Sequence, residues 1–481
     1  MRPRSLLSQA TPLLVGRGFS AALSFALPLV LARRLDATGY GTYKQIFLIS
    51  NTAFYLLQLG MAQSLYYFVP RSEDTETRRT FVAQTYLFLA VAGAVAAVAM
   101  VFLAGPFARA MSNPELVPLA PLTALMTWLL IATAALEIQL TAEGRLVAAG
   151  LAYGVLDAVR VSFALVPILF GAGLSGFLWG SIAALAIRAA IGVGLVWRGS
   201  WPQLSWQRFR DQLGYALPFG AAMLLSIPQQ QFHQYAVGWS VDPATFALYT
   251  VGCFQIPIVN LLYSPVSDVL QVRLAKLAIS DSRGALALLH EAVDWLAFFF
   301  LPLSIGLVAS APELIPALFT DRYAAAVPLF RLAVLAVPLA ALPLDGVLRA
   351  RGNTRYLFRF YFAKLAITVP AVLLGIRVGL LGAIAATTTV EVFTRIMMLA
   401  RVRHDLNLTW RELLPWRKLT TLTGWSALCI GAVWSVRMLP SMSAMRSALL
   451  ECGAYGALYL GGYGAFGLLR RREIFRPATA S

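Results

Sequence analysis

The chain has 481 residues, 59% of them hydrophobic and only 13% charged, with a formal net charge of +17 and a mean hydropathy of +0.71. That balance excludes an ordinary soluble globular protein and a disordered polyelectrolyte. The apolar residues fall in separate blocks of about 20, each long enough to cross a ~30 Å hydrocarbon core as a helix. The expected fold class is therefore all-α, a polytopic membrane protein.

The first block, 12–32, carries one cation, Arg17, and ends in a polar, Gly-bearing turn from Arg33 to Gly41. Its basic start resembles a signal n-region. The block is long, however, and no small-x-small cleavage site follows it, so it reads as a retained first helix. Further blocks lie at about 45–68, 81–104, 119–141, 147–170, 174–197, 214–237, 245–270, 287–310, 325–348, 356–376, 379–400, 416–437 and 446–469, making fourteen predicted spans. No connection exceeds about 16 residues, too short for an aqueous domain that could house an active site.

With the N-terminus inside, 24 of the 39 basic residues fall in cytoplasmic segments, 8 in outer loops and 7 within spans. This asymmetry predicts cytoplasmic termini and accounts for most of the net charge without nucleic acid as a partner. Cys253, Cys429 and Cys452 lie in apolar blocks with no disulfide or metal-ligand spacing. Walker A and HExxH motifs are absent, so neither ATP hydrolysis nor a metal or other cofactor is expected.

The charges within spans are costly in hydrocarbon and normally face a wet cavity or a partner. Arg359, Glu291, Asp268, Asp345 and Arg331 lie near span ends, where they can snorkel or cap. Deeper are Asp157 and Arg160 in span 5, Arg188 in span 6, Lys364 in span 11, and Glu391 and Arg395 in span 12. Asp157/Arg160 at i,i+3 and Glu391/Arg395 at i,i+4 can pair within their helices. Such pairs either hold helices together or serve a transport path. Arg188 and Lys364 have no acid one turn away on their own helices and need a partner on another helix, or a ligand. In span 7, Gln229, Gln230, His233 and Gln234 fall within an arc of about 140° beside Pro228. These side chains suit either interhelical hydrogen bonding or hydroxylated ligands. Gly150, Gly154, Gly171 and Gly180 are read as close helix packing.

Shifted by 206 positions, Leu35–Tyr43 overlies Val241–Tyr249, matching Asp36 with Asp242, Tyr43 with Tyr249 and Tyr40 with Phe246; Pro12 falls on Pro218. Transporters are commonly built from two related halves.

The opening Val15-Gly-Arg17-Gly…Leu31-Ala-Arg33-Arg-Leu-Asp36-Ala-Thr-Gly39-Tyr-Gly41-Thr-Tyr43 resembles the first helix and turn of the polysaccharide-transporter, or O-antigen repeat-unit flippase, family. Asp36 and Ala37 stand where that family usually has Gly and Pro. Leu213-Gly-Tyr-Ala-Leu-Pro218-Phe and Leu348-Arg-Ala-Arg-Gly352-Asn-Thr354 extend the likeness. The resemblance implies two six-helix lobes, 1–197 and 198–402, around a central cavity, followed at 403–481 by two further helices and a basic cytoplasmic tail. It also implies a non-enzymatic carrier in the bacterial inner membrane. Its activity is flipping polyprenyl-pyrophosphate-linked oligosaccharide to the outer leaflet by alternating access.

On that reading Arg17, Arg160, Arg188, Lys364 and Arg395 hold pyrophosphate and sugar together with Gln229, Gln230, His233 and Gln234. Asp157 and Glu391 serve as coupling or ion-pairing acids. The partners are the lipid-linked glycan, the bilayer and other polysaccharide-assembly proteins, and the carrier acts as a monomer. A lipid II flippase, a multidrug exporter of the same superfamily and a membrane-embedded polymerase remain alternatives.

Overall fold

The computed structural model describes residues 6–197, 203–275, 277, 281–350, 354–434 and 450–463. Every regular element among them is helical, in agreement with the expected class. The chain divides into two compact units that meet in sequence at Thr250/Val251.

Unit 1 contains α1 (Leu6–Arg34), α2 (Ala37–Leu57), α3 (Met61–Arg71), α4 (Thr75–Phe102), α5 (Ala104–Ala110), α6 (Leu116–Ala132), α7 (Leu136–Ala142), α8 (Leu146–Leu151), α9 (Asp157–Leu169), α10 (Gly173–Trp197), α11 (Trp206–Gly238) and most of α12 (Pro243–Gly252). A π-helical turn, Ala152–Leu156, joins α8 to α9. Unit 2 contains α13 (Pro257–Ala275), α14 (Ser282–Phe319), α15 (Val327–Val334), α16 (Leu344–Ala350), α17 (Thr354–Ile376), α18 (Leu380–Leu406), α19 (Trp410–Leu413), α20 (Trp416–Trp434) and α21 (450–463).

Ten helical segments among the described residues are long and apolar enough to cross a membrane, or eleven with α12 and α13 taken as one bent span. They coincide with eleven of the fourteen predicted blocks. The other three blocks fall on α11, α20 and α21, which are not among the ten. In α11 the physical reason is that the amide row at one end and Gln207, Arg208, Arg210, Asp211 and Gln212 at the other leave too short an apolar stretch between them. Arg198 and the basic tail from Arg470 to Arg476 lie outside the described residues, as do 351–353 of the Leu348–Thr354 motif.

The helices bury little of their apolar surface against protein. In the most apolar window of the first span only 11% is buried. Phe102 and Phe170 are 80% and 86% exposed, an arrangement that is stable only where the surrounding medium is itself apolar. Each unit nevertheless has its own core. In unit 1, Ala62, Leu65 and Val69 of α3 pack with Phe81 and Leu89 of α4 and Ile131 of α6. In unit 2, Leu289 and Val293 of α14 pack with Leu344 and Leu348 of α16 and Val402 and Leu406 of α18. A second cluster there joins Phe300 of α14 to Cys429 of α20 and to Tyr455 and Tyr459 of α21.

The two turns related by 206 positions are built alike and meet within unit 1. Asp36 caps α2 by accepting from the Gly39 amide at 2.9 Å. Asp242 caps α12 by accepting from the Ala244 and Thr245 amides at 2.9 and 3.1 Å. Tyr40 and Phe246 are both fully buried, as is Tyr249, with Tyr43 at 4% exposure. Gly41 lies so close to the Pro243 carbonyl that a Cβ at 41 would collide with it. Beside them Asn113 donates to Thr42 and Gln45 at 2.9 and 2.7 Å, and Gln45 donates to the Met111 carbonyl at 3.1 Å.

The packing expected of the helix glycines holds at Gly150, against Gly16, and at Gly180, against the Phe163 carbonyl. Gly171 differs. It ends α9 in a turn with a φ of +80° and open space where a side chain would be.

Candidate functional site

The densest group of charges within a span belongs to unit 2. Lys364 on α17 places its Nζ 2.6 Å from Glu391 Oε2 on α18, and Arg395, one turn on from Glu391, donates its Nε to Oε1 at 3.1 Å. Arg395 Nη1 also donates to the Leu342 carbonyl at 3.0 Å, where the 3-10 turn Val337–Ala341 ends and α16 has not begun. Lys364 thus finds the inter-helix acid its own helix lacks. One carboxylate serves two cations.

These groups line a cavity of about 200 Å³ with Asn260, Tyr263 and Asp345. Tyr263 donates to Asp345 Oδ1 at 2.8 Å, and Arg349 sits 3.4 Å from Oδ2. Asp345, expected to snorkel or cap, is a member of this site. The 3-10 turns and Pro343 ahead of α16 carry it inward to the cavity wall. That placement depends on a helix break that span position alone does not reveal.

In unit 1 the deep charges form two separate groups. Asp157 accepts from Arg160 Nε at 3.2 Å and from the Ser20 hydroxyl of α1, and Arg160 Nη2 reaches Ser24 at 3.4 Å. Arg17, on the same helix as the two serines, lies over the Tyr153 ring, 5.1 Å from its centroid. Tyr153 belongs to the π turn. Such turns insert one residue into a helix and re-aim its side chains.

Arg188 on α10 stands apart from that group. Its Nη2 is 2.5 Å from Glu137 Oε2 on α7, and its Nε and Nη2 both lie 3.4 Å from the Thr133 carbonyl. The break between α6 and α7 turns that carbonyl towards the guanidinium. Glu137 is 3% exposed, and its Oε1 has no hydrogen-bond partner among the described residues. Glu137 is one of the acids within spans, but nothing in its spacing pairs it with Arg188, which lies 51 residues away.

Along α11, His233 Nδ1 is 2.8 Å from the Tyr249 hydroxyl. Gln230 is exposed, while Gln229 and Gln234 are half-buried. The Gln229 amide nitrogen is buried with no partner among the described residues. Apart from His233, the side chains that bind α11 into unit 1 are others. Gln212 donates to Ser64 and Thr85, both at 2.8 Å, and Tyr235 donates to Thr52 at 2.8 Å. The amide row is therefore not what holds this helix in place.

The model of the polysaccharide biosynthesis protein family matches residues 30–328. Among solved structures, an inward-closed lipid II flippase MurJ superposes with a TM-score of 0.73 at 14% identity, covering 96% of this chain and 99% of that one. An inward-facing multidrug resistance MATE transporter of the MOP superfamily gives 0.62 at 13% identity, covering 83% and 94%. A MOP-superfamily transporter from Pyrococcus furiosus, whose binding pocket is described as of reverse polarity, gives 0.57 at 12% identity, covering 84% and 96%. At these identities the likeness establishes a shared fold. No curated protein matches the chain by sequence.

Proposed function

Because the chain belongs to the polysaccharide biosynthesis protein family, we propose that it is a carrier, not an enzyme, that flips polyprenyl-pyrophosphate-linked oligosaccharide to the outer leaflet of a bacterial inner membrane. The observation that carries this reading is the pair of cations, Lys364 and Arg395, at the cavity of unit 2. Lys364 and Arg395 share Glu391 beside a space lined by Asn260 and Tyr263. A diphosphate entering there exchanges one shared carboxylate for charge-assisted bonds of its own, and Arg395 has the planar fork suited to two phosphate oxygens. Asn260 and Tyr263 offer amide and hydroxyl partners to the first sugar. Arg17 and Arg160 supply further cations in unit 1. The Gln229–Gln234 row, loosely used within the fold, supplies amides for glycan hydroxyls. Alternating access by rocking of two lobes, 1–197 and 198–402, follows the two-repeat pattern of secondary transporters, the six spans of each lobe giving both the same orientation.

The test is surface glycan in cells producing Lys364→Ala or Arg395→Ala, set against the amount of carrier in membrane fractions. Loss of surface glycan at undiminished carrier level is expected, with Arg395→Lys retaining part. Normal glycan from both Ala variants overturns the assignment of the site. A second reading, lipid II as cargo, draws on the near-complete superposition with MurJ. Rescue of growth in cells depleted of their own lipid II flippase distinguishes it.

A further inference from the structure

A second polar cavity, of about 190 Å³, lies in unit 1 and none of the residues assigned above lines it. Thr75 and Arg78 of α4, Gln139 of α7, and Glu143 and Arg145 of the following turn form its wall. The volume is far above the roughly 10–15 Å³ that admits a single water. The turn is set by Gly144, at a φ of +75°, with the Arg145 amide donating back to the Leu140 carbonyl at 2.9 Å. This geometry brings Arg145 to the mouth of the cavity.

The hydrogen bonds show which of the wall's charges are committed. Arg79 is tied to Glu76 at 3.2 Å and to the Val196 and Trp197 carbonyls at 3.2 and 2.9 Å. Glu143 Oε1 accepts from Gln139 at 2.9 Å, and Gln139 is itself held by the Tyr86 hydroxyl at 3.1 Å. Arg145 reaches Glu143 Oε2 only at 3.5 Å and keeps 44% of its side chain exposed. Arg78 donates one long bond, 3.5 Å, to the Ser72 carbonyl, and its Nε is buried with no partner among the described residues. A guanidinium offers five donors, so two of the three arginines here are largely unspent. Arg78, Arg79 and Arg145 against Glu76 and Glu143 leave one positive charge in surplus. All three arginines lie in segments that the basic-residue asymmetry assigns to the cytoplasmic face, at headgroup depth.

We propose that Arg78 and Arg145 form a binding site for an anionic phosphate ester at the cytoplasmic face of the membrane, separate from the cavity of Lys364 and Arg395. Two sources carry this chemistry: the headgroup of an acidic phospholipid and a diphosphate presented from the aqueous side. Guanidinium groups held 67 positions apart in sequence by a fixed turn and a helix suit a phosphate bridging them. Acidic lipids are the abundant local supply of such groups.

The test uses the full-length protein in nanodiscs of phosphatidylcholine, of phosphatidylcholine mixed with phosphatidylglycerol, and of phosphatidylcholine with sodium pyrophosphate in solution. A ligand that binds the folded state raises the unfolding temperature. The wild type is expected to melt higher with phosphatidylglycerol, and Arg145→Gln to need about tenfold more of it, or greater, for the same rise. Arg78→Gln should behave alike, and Arg78→Lys should lie between. Arg145 is half-exposed at a turn, so its variant keeps the test open should Arg78→Gln fail to fold. A rise with phosphatidylglycerol alone identifies the lipid headgroup. A rise with pyrophosphate that both variants lose identifies the diphosphate. No rise in the wild type, or an equal rise in the wild type and both variants, overturns the site. The readout is binding without transport, so its failure leaves the proposed flipping activity untouched.

Discussion

Glu391 is shared by Lys364 at 2.6 Å and Arg395 at 3.1 Å, and the three side chains keep 19–27% of their surface exposed. Charges so placed are partly hydrated, so each pair contributes less than a dry one does. Removing the carboxylate leaves two cations facing each other. Glu391→Gln is therefore expected to lower stability by about 1–3 kcal/mol, read as a lower unfolding temperature in detergent. A cycle of Lys364→Ala, Glu391→Ala and the double variant should show coupling above ~0.5 kcal/mol. Additive effects would mean the contact is not maintained in solution. Arg188 presents a different case because Glu137 is almost dry. An unpaired arginine within a span is relieved by truncation to Ala. Arg188→Ala instead strands a buried carboxylate, so carrier levels in membranes should fall. Glu137→Gln in the same chain should restore them. Recovery of the level without recovery of surface glycan would separate stabilisation from transport.

At the scale of elements, the two capped turns carry the sharpest expectations. The Thr245 hydroxyl, 2.6 Å from Asp242, together with the capping amides, holds the Asp242 carboxyl below the usual aspartate range. A carboxylate whose folded-state pKa is depressed contributes its stability above the unfolded value, about 3.9, and loses it as pH falls through the folded one. Asp242→Ala should cost about 0.5–2 kcal/mol at neutral pH. The difference from wild type should shrink below about pH 4, as thermal unfolding followed across pH will show. Gly41 tests the meeting of the two turns. Gly41→Ala must displace the Pro243 backbone, at a cost of about 1–3 kcal/mol. Gly18→Ala, which meets nothing within 4 Å, should be neutral or slightly stabilising. Equal melting of the two variants would refute the close approach at Gly41.

For the whole molecule, the 24-to-8 division of basic residues predicts that both termini face the cytoplasm. A reporter active only in the periplasm should stay silent when fused after Ser481 and become active when placed in the turn after α1. Activity at the C-terminus would invert the assignment and move the Arg78–Arg145 cavity to the other face. What the residues determine unaided is whatever is local and additive. Hydropathy summed over a window located the blocks that became ten apolar spans among the described residues, or eleven with the bent pair α12 and α13. Spacing of i,i+3 or i,i+4 paired Asp157 with Arg160 and Glu391 with Arg395. The side chains of Lys364, Arg188 and Asp345 were assigned their partners by the tertiary structure alone. Glu391 for Lys364, Glu137 for Arg188 and Tyr263 for Asp345 lie on other helices, reached through the rotation of one helix against the next and through breaks near Thr133 and Leu342. Hydrophobic periodicity cannot specify that rotation in a helix whose outer surface faces lipid, because almost every side of it is apolar. Packing between helices decides it instead.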